Sequence, residues 1–141
     1  MEGAGTPRRW LVDAMNVIGS RPDGWWRDRD AAKRALVDQL ASWLRATGEA
    51  VTVVFDGWAP DQMGGVEVAS CPGGPDAADD EIARRVAGDP EPASLVVATS
   101  DRGLAARVRA GGATTEGARR FRARLEAPGE MPGDGTDTPT S

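Results

Sequence analysis

Residues Trp10 to Ser20 read WLVDAMNVIGS. An apolar run closes on Asp13, Asn16 follows three residues later, and the chain turns apolar again before Gly19 and Ser20. A carboxylate at the end of a buried strand is costly unless something pairs with it. Either these polar groups sit at the wet end of the strand, or they hold something. The pattern recurs twice. VTVVF, Val51 to Phe55, ends on Asp56 before Gly57, and LVVA, Leu95 to Ala98, runs through TSD to Asp101. Short apolar, β-branched runs of this kind predict buried strands.

Helical patterns lie between them. Asp30 to Ala46 carries Ala35, Leu36, Leu40, Trp43 and Leu44 at helical spacing, with Asp30 as the expected cap and Gly48 as the stop. Residues Gly19 to Arg29 (GSRPDGWWRDR) predict a loop, Val66 to Ala69 a shorter strand and CPGGP a turn. A second helix is predicted from Pro75 to Ala87, capped by Asp76, with Asp79, Asp80 and Glu81 near its positive end. Further helices are expected over Gly103 to Ala110 and Gly117 to Leu125, with a last strand at Ala113 to Thr115. Alternating strand and helix predict a single α/β domain over residues 9–125, its mainly parallel sheet covered on both faces. A flexible leader is expected at 1–8 and a disordered acidic tail at 126–141.

Composition narrows the chemistry. There is no histidine and one cysteine, Cys71, so Cys/His zinc sites and Ser-His or Cys-His catalytic pairs are excluded. No apolar run approaches the length of a membrane span, and the first residues lack a secretory pattern, so a cytoplasmic protein away from membranes is expected. The net charge of −5 is concentrated in the tail, whose four acids face no cation; removing them from the 22 acids leaves 18 against 17 cations. Within the body, Arg102 to Arg124 holds seven arginines and one acid, Glu116. Such a segment suits a phosphate-rich partner, or forms a solvated face in an arginine-biased chain.

In a parallel sheet the ends of all three strands lie on one edge, where α/β proteins bind ligands. Asp13, Asp56 and Asp101 then meet the start of the helix that carries Asp79 and Asp80. Clustered carboxylates repel unless a cation neutralises them, and an all-oxygen donor set suits Mg²⁺ or Mn²⁺. Asn16 and Ser100 could orient water or phosphate without adding charge. Each acid also has a structural reading: Asp56 as a turn before Gly57, Asp76 as a cap, Asp80 and Glu81 as partners of the helix dipole. Asp79, three before Ile82, shares a face with a core residue.

Four segments in order resemble the NYN domains of the YacP-like group in the PIN nuclease superfamily: VDAMNVIGS, VVFDG, PDAADDEIARRV and VVATSDRGLAARVRAGGA. The resemblance runs from about Arg9 to Leu125. It implies a Rossmann-like PIN fold and a metal-dependent endoribonuclease, with Asp13, Asp79 and Asp101 binding Mg or Mn. It implies Asp80 as a supporting acid and Asn16 and Ser100 as polar site residues. The chain departs from the family pattern at Ala14, Met15 and Ala105, the last standing where many members carry another acid.

The expected partner is RNA, received by Arg27, Arg29, Arg102, Arg119, Arg120 and Arg122. Trp25 and Trp26 lie among cations and are read either as base-stacking or as packing residues. Trp10 and Trp43 are assigned to the core, and Trp58 is left open. Two alternatives stand beside the nuclease. One is a non-catalytic RNA-binding module, with a ribosome or a decay complex as its setting. The other is a phosphohydrolase suggested by VVFDG, for which the DxDxT nucleophile pattern is missing.

Overall fold

The computed structural model describes residues 8–74 and 76–126. Five strands build one sheet: β1 (Arg9–Asp13), β2 (Ala50–Asp56), β3 (Glu67–Cys71), β4 (Leu95–Ala98) and β5 (Thr114–Glu116). Their order is β3-β2-β1-β4-β5 and every neighbouring pair is parallel. The expected α/β class and parallel sheet are therefore observed. Five helices connect and cover the strands: α1 (Ala14–Ile18), α2 (Arg29–Thr47), α3 (Ala77–Ala87), α4 (Arg102–Ala110) and α5 (Ala118–Glu126).

Alternation along β1 divides the core. Trp10 and Val12 face α1, α2 and α5, and join Val53, Phe55, Leu40, Trp43 and Phe121. The rings of Trp10, Trp43 and Phe121 lie 5.1–5.4 Å apart, so both tryptophans assigned to the core are there. Leu11 faces the other way, with Val54, Val97, Ile82 and Leu104 under α3 and α4. Burial on two faces explains why β1 and β4 are continuous apolar runs.

Two expected helix caps are corrected, and one helix is added. The cap of α2 is Asp28, whose Oδ1 accepts from Ala31 N at 3.0 Å; Asp30 already lies in the first turn. Gly48 ends α2 as expected, at φ 75°. Asp76 makes no capping bond to α3. Asp56 of β2 does so instead, its Oδ1 accepting from Ala78 N at 3.0 Å. Helix α1, a single turn directly after Asp13, had no assignment, because five residues are too few to show a period. Apart from Arg8 and Glu126, the expected leader and tail lie outside the described residues, as does Pro75. Glu126 belongs to α5.

Candidate functional site

The strand order reverses direction between β1 and β4, and that crevice is where ligands lie in open parallel sheets. β1 delivers Asp13 to its carboxyl edge, and β4 leads through Thr99 and Ser100 to Asp101. Asp13 is only 6% exposed. Its Oδ2 accepts a hydrogen bond from Thr99 Oγ1 at 2.8 Å, across the switch point. Thr99 Oγ1 in turn accepts from Asp101 N at 3.1 Å, so one buried hydroxyl links both acids.

Asp101 caps α4, with Oδ1 accepting from Leu104 N at 2.8 Å. Asn16, on α1, reaches across the same crevice, and its Oδ1 accepts from Ser100 N at 2.7 Å. Ser100 Oγ accepts from Ala118 N at 2.8 Å and so holds the start of α5. These contacts lock the loop after β4 against the end of β1.

Asp79 enters from α3. Asp56, through its bond to Ala78 N, fixes the first turn of that helix and hence the placement of Asp79. Burial is the main cause that pushes the Asp13 carboxyl up to about 6; the Thr99 bond opposes this, and the charges of Asp79, Asp56 and Asp101 add to it. Asp79 is also raised, first by burial and then by Asp101, Asp56 and Asp76. The four acids therefore share one field. They do not form a closed cage: among the described residues no three acids stand close enough together to hold a metal ion by themselves.

Asp13, Asp79, Asp101, Asn16 and Ser100 are thus brought to one edge. Asp80 is not part of the group, because it is exposed and pairs with Arg107 at 3.1 Å. Ala105, one turn into α4, is buried. Of the expected RNA-binding arginines, Arg27, Arg29, Arg102, Arg119 and Arg120 are exposed. Arg122 is half-buried and structurally engaged, its Nη1 donating to the carbonyls of Val17 and Ile18, both at 3.1 Å. The basic segment is otherwise partly neutralised, since Arg124 forms a two-point pair with Glu116 at 2.6 and 2.8 Å.

Two contributors were not assigned a role from sequence. Thr99 bridges Asp13 and Asp101, and its signal was a β-branched hydroxyl residue directly after an apolar strand. Lys33 is the second. It is 7% exposed, and its Nζ donates to the carbonyls of Asp56 and Trp58 at 3.1 and 2.6 Å. It therefore ties α2 to the loop after β2. Its signal was that it is the only lysine in the chain.

A parallel α/β domain with an acidic crevice at its switch point belongs among the Rossmann-like architectures that bind ligands at the carboxyl ends of their strands. The description of the YacP-like NYN domain matches residues 10–131, and the chain belongs to that nuclease-like family. It is similar to crystal structures of Rae1 (YacP) from Bacillus subtilis. For a tryptophan-to-leucine variant the TM-score is 0.72 at 27% identity, over 86% of this chain and 76% of that one. For a second Rae1 structure the score is 0.70 at 27% identity, over 84% and 74%. A UPF0178 protein of Xanthomonas oryzae is 41% identical over 100 residues, 70% of this chain and 59% of that protein. One from Xanthomonas campestris is 42% identical over 85 residues, 59% of this chain and 49% of its own length. The chain thus spans less than two thirds of these curated relatives. Among the described residues no helix is long and apolar enough to cross a membrane.

Proposed function

We propose that this domain is an endoribonuclease that hydrolyses RNA phosphodiester bonds with a carboxylate-bound Mg²⁺ or Mn²⁺. The observation that carries the reading is the buried Asp13 carboxyl, raised to about 6 beside Asp79, Asp56 and Asp101, at the switch point of the sheet. Carboxylates kept unpaired and close enough to feel one another are destabilising in the free protein and become favourable when a cation enters. The donors are all oxygens, which fits a hard divalent ion. Their open spacing suits an ion that keeps water ligands and accepts phosphate oxygen, as Mg²⁺ does.

Asp13, Asp79 and Asp101 would hold the ion together with the water ligands it retains. When bound, it would lower the pKa of a water molecule and offset charge on the scissile phosphate. The chain's own groups do the rest. Thr99 fixes the rotamer of Asp13 and leaves Oδ1 of that carboxylate for the ligand. Asn16 and Ser100 hold the loop after β4 in register, and the Ser100 hydroxyl hydrogen remains available to a phosphate oxygen. The exposed Arg27, Arg29, Arg102, Arg119 and Arg120 would receive the backbone, which makes binding strongly dependent on salt. The net reaction adds water across one P–O bond.

The test is cleavage of a pool of single-stranded and structured RNA with Mn²⁺, Mg²⁺ or EDTA. Wild type is expected to cut only with a divalent ion, and Asp13→Asn or Asp101→Asn to cut at least about a hundredfold more slowly. Asparagine keeps the capping acceptor at position 101, so the loss would not reflect unfolding. Mn²⁺ affinity should fall as pH drops through about 6, where Asp13 takes up its proton.

One observation favours a second reading. Ala105 presents a buried methyl where an acid would add a ligand, and the acid set is open. A non-catalytic RNA-binding module would bind RNA in EDTA, with salt sensitivity, and cut in no lane.

A further inference from the structure

We infer that Trp58 is a base-stacking platform for single-stranded RNA at the carboxyl edge of the sheet, with Arg34 holding the adjoining phosphate. This rests on the RNA reading above and adds to it a residue that recognises unpaired bases. Trp58 is 46% exposed and shares a groove with Met63, 47% exposed, so the two form a contiguous apolar patch rather than a lone ring. It lies two residues beyond Asp56, the acid that positions α3 and contributes to the field on Asp13. Trp58 therefore follows the carboxyl end of β2, on the same edge of the sheet as Asp13.

The mount of the ring is rigid. Buried Lys33 grips the Trp58 carbonyl at 2.6 Å and the Asp56 carbonyl at 3.1 Å. The indole also carries cations: Lys33 Nζ lies 5.8 Å and the Arg34 guanidinium carbon 5.1 Å from its centroid. Arg34 is exposed, with its guanidinium against the indole. Beside the ring is a groove of about 450 Å³ lined by Arg34, Val37, Trp58, Pro60, Asp61 and Met63. An aromatic face with a cation next to it matches a base and its phosphate, and stacking tolerates any base. Asp61 is the one acid on the groove. An acidic or purely apolar partner would leave either the cation or the indole unmatched.

The test uses the full chain and two labelled oligoribonucleotides of equal length, one unstructured and one abasic, followed by fluorescence anisotropy. Lys33 holds the backbone of residue 58 rather than its ring, so Trp58→Ala keeps the mount; a thermal melt checks this. Trp58→Ala should bind the base-bearing strand about tenfold more weakly and the abasic strand unchanged. Trp58→Phe should recover most of the loss, and Arg34→Ala should weaken both probes. Equal weakening of both probes by Trp58→Ala, or none, would overturn the platform and leave the RNA reading standing. Wild type that binds neither probe would overturn both. Concentration-dependent self-association in sedimentation that disappears in Trp58→Ala would also overturn it, by making the patch a contact between two copies.

Discussion

The two ends of the sheet use the same residue types to opposite effect. At the amino edge acids meet cations. Arg9 forms a two-point pair with Asp89 at 2.7 and 2.9 Å and also reaches Ser94, while Glu49 pairs with Arg8 and accepts from Trp10 Nε1 at 2.6 Å. The Arg9 hydrogen bonds hold the Asp89 carboxyl below its ordinary range. A cleft of about 500 Å³ lies here, yet Arg9, Asp89, Glu67 and Arg85 on its walls are engaged with one another. At the carboxyl edge, Asp13 and Asp79 have no ion-pair partner among the described residues and both are raised. Paired charges act as clasps between elements. Unpaired charges held in place by hydroxyls and backbone amides store repulsion that a ligand can relieve.

That contrast can be broken from either side. The largest stability effect is expected at Asp13. Its carboxyl rises from 3.8 unfolded to about 6 folded, so its penalty is absent below about pH 4, grows between, and is complete above pH 6. Asp13→Asn removes it and should stabilise the metal-free protein by about 2 kcal/mol at pH 7.5, with no gain at pH 4. Urea melts at both pH values measure this, and a loss of stability at pH 7.5 would contradict it. Saturating Mn²⁺ should reverse the order of the two proteins.

The amino edge should respond in the opposite sense. Arg9→Leu is expected to destabilise by about 1–2 kcal/mol, the range of a charged hydrogen-bonded pair discounted for partial exposure. Mn²⁺ affinity should not change. Because Asp89 is lowered, its contribution is present at neutral pH and lost as the solution is acidified below about 4. Asp89→Asn should therefore flatten the acid limb of the stability profile that Asp13→Asn leaves intact. The smallest effect is expected at Asp56. Asp56→Ala strands Ala78 N–H and should cost about 1 kcal/mol, while Asp56→Asn, which keeps an acceptor, should cost less. Amide hydrogen exchange at Ala78 and Asp79 would rise in the alanine variant first.

Much of this was legible in the sequence because strands buried on both faces have an unmistakable signature. LVVA and VTVVF admit few other readings at that length. Parallel order then forces Asp13 and Asp101 to one edge, so part of the site follows from the fold class. The turn reading of Asp56 agrees with the backbone but was incomplete, for a physical reason. A turn signature before glycine describes the backbone, and Gly57 does adopt φ 73°, but it is silent about where the carboxylate reaches. Its target, Ala78 N, is 22 residues away. Thr99 and Lys33 escaped for the same reason, since both act on groups distant in sequence. Asp80 shows the converse: its place beside Asp79 suggested a shared role, but adjacent helical residues point about 100° apart, and Arg107 takes it.

The lone lysine gives the molecule a built-in reporter. Its amine is shielded while α2 stays docked on the loop after β2, so an acylating reagent can reach that nitrogen only when the two separate. The rate of modification at Lys33, read by mass spectrometry, would therefore clock the opening of the wall that carries Trp58. A bound ligand that steadies this wall would slow the clock without touching the amine.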